Sequence, residues 1–328
     1  MKRFPLLFTL LLFVVMMAAG CGAESVDNSA SSETTEGSTT TTEDSATDTT
    51  NEEITITHML GETPVKVNPE KVVVFDFGML DSLDKLGVEV IGVPQANIPS
   101  YLSKYEDSKY ENVGSLKEPD FEKIAELEPD LIIISGRQQE AYEELSKIGP
   151  TVYMGLDTSK YMESFKENQT TLGKIFNKEA EVEEELAAVE ASIQALNEKA
   201  AASESTGLIV LANEGNLSAY GPASRFGIIH DVFGLKAADE QIEVSTHGQS
   251  VSFEYIVEKD PDYLFVIDRG AAVDGESSAK ELIENELIFN TKAYKNDNIV
   301  YLNPDFWYLS GGGLISVSEM IKEIENGL

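Results

Sequence analysis

The sequence predicts an α/β protein built as two similar lobes with one long helix between them. Three observations carry that prediction. Residues 179–203 contain neither Gly nor Pro, and Val182, Leu186, Val189, Ile193, Leu196 and Ala200 fall in alternating steps of four and three, one narrow stripe on a helix. At about 1.5 Å per residue this stretch is a rod of roughly 37 Å. The segment before the rod is echoed after it. Residues 120–137 (DFEKIAELEPDLIIISGR) and 252–269 (SFEYIVEKDPDYLFVIDR) align without a gap. They share Phe121/Phe253, Glu122/Glu254, Ile124/Ile256, Glu126/Glu258, Pro129/Pro261, Asp130/Asp262 and Arg137/Arg269. Each copy reads as cap, short helix, Pro-Asp turn, buried strand, then an Arg just past the strand. Third, strand and helix patterns alternate on both sides of the rod, which implies mostly parallel sheets.

The chain opens with Lys2 and Arg3 before an apolar run over 4–19. That run is somewhat short of the ~20 residues a spanning helix needs and has the plan of a secretory signal. Ala19 and Gly20 stand directly before Cys21, the single cysteine. This resembles a bacterial lipoprotein signal, in which that Cys is lipidated and becomes the mature N-terminus; Ala18 departs from the usual Leu. The other reading is a signal peptide cleaved nearby beside an incidental Cys. With no second Cys to pair, disulfides and Cys-based metal sites are excluded, and the lipoprotein reading is preferred. The expected boundaries are a signal peptide over 1–20, then the lipidated Cys and a disordered tether over 21–53. Residues 22–53 carry nine acidic residues, no basic ones and almost nothing to bury.

The N-terminal lobe is expected over 54–160. A hairpin pattern at 54–67 turns at Gly61-Glu62. Strands follow at 72–75 and 88–93, with a helix at 79–86 between them closed by Gly87. A polar, Tyr-bearing connection at 98–110 leads to the first repeat copy, a helix at 138–148 and a strand at 151–154. A bridging helical segment over 161–206 joins a helix at 161–176 to the rod, with Asn177 as the rod's N-cap and Gly207 beyond its end. The C-terminal lobe, 207–328, begins with strands at 208–212 and 217–220. The turn GPASRFG at 221–227 starts a helix over 226–233 capped by Ser224. After the second repeat copy come a short helix at 281–286, a strand at 299–302, the aromatic loop NPDFWYLSGGG at 303–313 and a closing helix at 314–325.

The 328 residues are 42% apolar, enough for two cores, and carry a net charge of −34. No basic patch exists to neutralise phosphates, so nucleic acid is excluded as a partner. The acidity reads as a solubility feature. The chain has no GxSxG and no HExxH, so no covalent chemistry is expected and a lipid-anchored enzyme is the less favoured class. Three scattered His residues make no ligand cluster for a free metal.

Of 24 basic residues only four are arginines: Arg3 in the signal, and Arg137, Arg225 and Arg269 in the body. Lysine supplies the ordinary surface charge. Arginine adds a planar fork of donors that grips anionic oxygens in fixed geometry. Arg137 and Arg269 follow strands at equivalent repeat positions, where ligands of open α/β sheets bind, and Arg225 follows a glycine turn. The expectation is an anion clamp in one inter-lobe cleft, with Tyr220, Trp307 and Tyr308 as aromatic walls. His247 and Tyr308 lie on loops; an imidazole and a phenolate are both metal-ligand types, the phenolate suited to Fe(III). His58 and His230 are expected to be structural.

The ordered set GR at 136–137, SRFG at 224–227, HG at 247–248, DR at 268–269 and WY at 307–308 resembles the ferric-siderophore-binding lipoproteins of ABC importers, of the petrobactin/catecholate type. With the lipoprotein start, tether and rod, the resemblance covers the whole chain. It implies the class III periplasmic-binding-protein fold, two α/β lobes joined by one long helix. It implies that Arg137, Arg225 and Arg269 bind the anionic catecholate complex, and that His247 and Tyr308 complete the iron's coordination when the siderophore leaves positions open. The helix dipole alone accounts for Glu122 and Glu254 in their first helical turns; the resemblance implies that they engage arginines of the permease. The implied partners are a ferric siderophore as ligand, the ABC permease, and the outer face of the cell membrane through lipid on Cys21. No cofactor is implied, and a monomer with small lobe closure is expected. A receptor for haem or cobalamin on the same fold is the alternative, though three arginines exceed what two haem propionates require.

Overall fold

The computed structural model describes residues 52–276 and 278–328. The expected signal segment, Cys21 and nearly all of the expected tether lie outside the described residues. β1 (Glu53–His58) and β2 (Gly61–Lys66) form an antiparallel hairpin. Thr63 and Val65 face inward, and the Thr63 hydroxyl donates to the Thr151 carbonyl at 2.8 Å, pinning the hairpin to the first lobe. That lobe comprises β3 (Val72–Val74), α1 (Phe77–Lys85), β4 (Gly92–Val93), β5 (Glu111–Asn112), α2 (Phe121–Leu127), β6 (Leu131–Ile134), α3 (Tyr142–Ile148) and β7 (Thr151–Tyr153). Its sheet runs β5-β4-β3-β6-β7, all parallel. β3 and β6 are buried on both faces, which explains their unbroken Val and Ile runs.

α4 (Tyr161–Phe176) and α5 (Glu179–Ser203) carry the chain to the second lobe. Asn177, in the left-handed conformation at φ 52°, ends α4 and turns the chain back, so that Lys166 pairs with Glu190. Val182, Val189, Leu196 and Ala200 of the predicted stripe are buried, while Leu186 and Ile193 pack at its edge. α4 serves both lobes: Tyr161 and Phe165 join the core beneath the second sheet, and Leu172, Ile175 and Phe176 join that of the first.

The second lobe comprises β8 (Thr206–Asn213), β9 (Asn216–Tyr220), α6 (Ile228–Asp231), β10 (Lys236–Ala237), β11 (Gln249–Val251), α7 (Phe253–Lys259), β12 (Tyr263–Asp268), α8 (Arg269–Val273), α9 (Ala279–Ile283), α10 (Lys292–Lys295), β13 (Ile299–Leu302) and α11 (Leu314–Gly327). Its sheet runs β11-β9-β8-β12-β13, with β10 paired to the start of β8. Among the described residues no helix is long and apolar enough to cross a membrane.

The sequence repeat is a structural repeat. α2 and α7 each end on a left-handed residue, Glu128 and Asp260. The following Pro-Asp places Asp130 where it accepts from the backbone N–H groups of Glu70 and Lys71, and Asp262 where it accepts from Thr206. Each Asp thus ties down the start of the neighbouring central strand. β6 and β12 then lie inside their sheets, and Arg137 and Arg269 follow their carboxyl ends.

Several local expectations are corrected. Asn177 closes α4 rather than capping α5, whose first residue follows Lys178. The strand expected at 88–93 pairs only at Gly92–Val93, because Val88 donates its N–H back to Leu83 and ends the helix turn. The helix expected at 138–148 begins only at Tyr142. Before it, Gly136–Ala141 is a tight 3-10 turn wound around buried Gln138, whose side chain accepts from the Ser135 N–H and donates to the Leu116 carbonyl. The helix expected at 226–233 shrinks to Ile228–Asp231, and the Ser224 hydroxyl donates to the Gly221 carbonyl instead of capping it. In the second sheet β9 runs antiparallel to both of its neighbours, β8 and β11, because Glu214 and Gly215 turn β8 into a hairpin.

The lobes are also joined directly. Asp81 of α1, fully buried, accepts from the Ile315 and Ser316 N–H groups at the start of α11, at 3.2 and 2.9 Å, and from the Tyr101 hydroxyl at 3.0 Å. Ser82 accepts from the Leu314 N–H at 3.0 Å. Only glycine fits at 313, since a Cβ there would lie 1.9 Å from the Asp81 carboxylate. The Tyr101 hydroxyl is also within hydrogen-bond distance of the Ser310 hydroxyl, at 2.7 Å, and Ser100 donates to Asp305 through its N–H at 2.9 Å. The aromatic loop is therefore continuous with the second lobe but docked on the first.

Candidate functional site

Between the lobes lies a cavity of about 580 Å³. Its wall includes Arg137 from the first lobe and Arg225, His247, Trp307 and Tyr308 from the second. Arg137 reaches it because the 3-10 turn after β6 buries Gln138 and leaves its neighbour half-buried at the cleft. Arg225 follows Ala223, which takes the left-handed conformation at φ 57° while its N–H donates to Asp231 at 2.6 Å. The turn is fixed to the opposite lobe, since the Thr158 hydroxyl donates to the Ala223 carbonyl at 3.2 Å. Tyr308 lies in a single π-helical turn, Asp305–Leu309.

Tyr308 is the centre of the arrangement. Its carbonyl accepts from Arg137 Nη2 at 2.9 Å and from Arg225 Nη2 at 2.7 Å, one guanidinium from each lobe. Its hydroxyl accepts from Arg269 Nε at 3.2 Å. The Arg225 guanidinium also sits 4.3 Å from the centre of the Tyr308 ring. Arg269 is oriented from behind by Asn213, whose Oδ1 accepts from Nη1 at 2.9 Å. Among the described residues the ion pairs are all made by lysine, so the arginines stand without a carboxylate partner in a strongly acidic chain. Each guanidinium has five N–H donors, and Arg137 and Arg225 each use one on Tyr308.

The electrostatics follow from this crowding. Burial, and after it the neighbouring Arg137 charge, holds the Arg225 guanidinium below its ordinary value. Burial alone would raise the Tyr308 phenol. The Arg225 charge and the Arg269 hydrogen bond outweigh it and hold the phenol below the usual tyrosine range. Trp307 is anchored by its Nε1–H, which donates to Glu323 on α11 at 2.7 Å.

The sequence-derived residues separate as follows. Arg137, Arg225, His247, Trp307 and Tyr308 line one cavity. Arg269 stands one side chain back, reaching the cleft through Tyr308. Tyr220 does not line the cavity: it is buried, edge-on to Phe226 with ring centres 4.7 Å apart, and pressed under Gly248. Its place as an aromatic wall is taken by Phe226, which it supports. Glu122 and Glu254 are exposed in the first turns of α2 and α7, away from the cavity wall. His58 bonds Thr63, and His230 bonds the Leu235 carbonyl, both outside the cleft. Cys21 lies outside the described residues. Lys117, an exposed lysine on the rim, was not singled out from the sequence, because nothing distinguishes it from the other surface lysines. Asn213 was also missed; its role appears only once Arg269 is placed. No group of three His, Cys, Asp or Glu side chains able to hold a metal ion occurs among the described residues.

The chain is similar to several known binding proteins. The family model described as "Periplasmic binding protein" matches residues 72–306. The petrobactin-binding protein YclQ of Bacillus subtilis is 52% identical over 332 aligned positions, covering 100% of this chain and 99% of its own. Its crystal structure superposes with a TM-score of 0.83, covering 84% of this chain and 99% of that one. The ferric-anguibactin-binding protein FatB of Vibrio anguillarum is 33% identical, covering 84% of this chain and 87% of its own. The crystal structure of the catecholate-siderophore-binding protein VctP of Vibrio cholerae has a TM-score of 0.81 at 37% identity, covering 84% of this chain and 100% of that one.

Proposed function

The chain belongs to the periplasmic binding protein family and has its class III fold, and on that premise we propose that it is the extracytoplasmic receptor of an ABC importer, capturing a ferric catecholate siderophore between its lobes and delivering it to the permease. One observation carries the reading beyond the family: guanidinium groups from opposite lobes meet on a single carbonyl at the cavity wall, and among the described residues neither makes an ion pair with a carboxylate. Two cations converge at such a cost only where an anion repays it. A ferric catecholate is a broad, partly aromatic polyanion. Arg137 and Arg225 supply charge-assisted hydrogen bonds, while Phe226, Trp307 and Tyr308 offer ring surfaces. Arg269 acts through Tyr308 and completes the clamp. Where the siderophore leaves iron positions open, His247 and the acidified Tyr308 phenol are the protein's candidate donors. Lipid on Cys21 would hold the receptor at the membrane, and Glu122 and Glu254, one on each lobe, would meet basic residues of the permease. The receptor performs no covalent chemistry.

Trp307 is the single tryptophan and lies on the cavity wall, so its fluorescence reports binding directly. Saturable quenching is expected with ferric bis- and tris-catecholates, and none with a ferric hydroxamate, haem or cobalamin. Arg137→Ala and Arg225→Ala should each weaken the catecholate complex by ~1–3 kcal/mol, roughly five- to 150-fold. Lys at either site should recover only part of that loss, because it lacks the fork. Exchange of Glu122 and Glu254 should leave quenching intact and lower uptake. Unchanged affinity in both arginine variants would remove the clamp.

A further inference from the structure

Arg137 is the single arginine of the first lobe, and a buried amide stands directly behind it. Gln138 is 2% exposed, between half-buried Arg137 and exposed Gln139. Burying an amide costs free energy unless both of its ends are bonded, and an apolar side chain would fill the same space without that demand. Here both ends are bonded. Oε1 accepts from the Ser135 N–H at 3.1 Å, and Nε2 donates to the Leu116 carbonyl. Gln138 does not itself line the cavity, whereas Ser135, Gly136, Arg137 and Lys117 do.

The Leu116 carbonyl comes from across the sheet. β5 and β6 are separated by β4 and β3, a span of roughly 14 Å at the usual strand spacing. The segment after β5 therefore lies over the carboxyl ends of the intervening strands to reach Gln138. It is a tight loop. Gly114 pairs with Pro119 and takes φ 104°, and a Cβ there would collide with the Glu118 carbonyl. The Ser115 Oγ accepts from the Lys117 and Glu118 N–H groups at 3.3 and 3.0 Å. Those internal bonds shape the loop but do not place it on the lobe. Its placement comes from Leu116, whose side chain packs on the first-lobe core and whose carbonyl meets Gln138. Gln138 is thus next to Arg137 in the chain and one hydrogen bond from the residue before Lys117. Two like charges on one wall repel, and a strut between their segments fixes their separation.

The second copy of the repeat has a counterpart. Asp268, 8% exposed, stands directly before Arg269. It accepts from the Ala271 N–H of its own turn, and from the Ser278 and Ala279 N–H groups at the start of α9. Each lobe therefore ties the turn that carries its arginine to a second segment through one buried polar side chain.

We propose that Gln138 is a positioning residue for ligand capture: it holds Arg137 and Lys117 in register on the first-lobe wall without touching the ligand. This rests on the reading of the cleft as a ferric-catecholate site.

The test is a set of double-mutant cycles followed by Trp307 quenching with a ferric bis-catecholate. Gln138→Met fills nearly the same space and removes both side-chain hydrogen bonds. It should weaken binding about tenfold in the otherwise unaltered protein, and by a similar factor in Arg225→Ala, whose lost guanidinium belongs to the opposite lobe. With Arg137 and Lys117 both changed to Ala it should cost less than about twofold, because no cation is left on that wall to position. A merely structural role would give the same loss in all three backgrounds. Gln138→Asn keeps an amide one methylene shorter and should show the same pattern with a smaller loss; it decides the matter if the Met variant fails to fold. Unchanged affinity in the Gln138 variants, or an equal loss in every background, would overturn the positioning role and leave the siderophore reading standing. No binding of the probe by the unaltered protein would overturn both.

Discussion

Tyr308 gathers three arginines with three different parts of itself: carbonyl, hydroxyl and ring. The sequence singled out the arginines because they are rare in a lysine-using chain, and Tyr308 because it is a possible oxygen donor. It could not show the shared acceptor, since a backbone carbonyl has no residue-type signature. Nor could it separate Tyr220 from Tyr308. Both are tyrosines in loop-flanked segments of the second lobe, and only packing puts one beneath Phe226 and the other on the wall. The charges of Arg225 and Arg269 favour the phenolate of Tyr308 more strongly than burial opposes it. Among the 12 tyrosines, one should therefore ionise below the usual range in an ultraviolet titration, and that phase should vanish in Tyr308→Phe. Its persistence in the variant would mean that another tyrosine is responsible.

Elements formed by local rules were the most legible. The α2–β6 and α7–β12 units follow from caps, Pro-Asp turns and apolar runs contained within 18 residues. The α1–α11 junction was not legible, because Asp81 and Ser316 are 235 positions apart and no periodicity marks a carboxylate destined for the start of another helix. Burial pushes the Asp81 carboxyl up to about 7, against the hydrogen bonds from Ser316, Tyr101 and Ile315 that favour its charged form. The folded value lies above the unfolded 3.8, so only the folded state holds this proton at intermediate pH. The contribution to stability is thus complete below about pH 4 and is lost as pH rises through about 7. Urea unfolding at pH 5 and pH 8 should show a loss of up to ~2.5 kcal/mol across this window that is missing in Asp81→Asn. Parallel pH profiles for the two proteins would exclude Asp81 as the source.

Over the whole molecule, the bridge alone suggested limited closure, and the direct contacts reinforce that expectation. Asp81 on α11, Tyr101 on Ser310, Ser100 on Asp305, Asn97 on the Val273 carbonyl and Thr158 on the Ala223 carbonyl all cross between the lobes. A large hinge motion would break these bonds, including the buried one between Asp81 and the Ser316 N–H. Crystal structures with and without a ferric catecholate should differ by a lobe rotation of only a few degrees; a rotation of tens of degrees would show that the contacts yield on binding. The two-lobe plan was legible because each lobe repeats one unit. The closeness of the lobes was not, since it depends on contacts distant in sequence.

The docking of residues 303–327 across both lobes also constrains how the receptor comes into being. Chains emerge N-terminal end first, and domains fold as they appear. Both sheets are complete by Leu302, before Trp307, Tyr308 or α11 exists. Until then Arg137 and Arg225 lack their common acceptor, and Asp81 is a carboxylate with no helix to meet. A nascent chain can thus build each lobe without acquiring the site. The cleft is the last thing assembled, so competence to seize a ligand arrives in one step with the final helix.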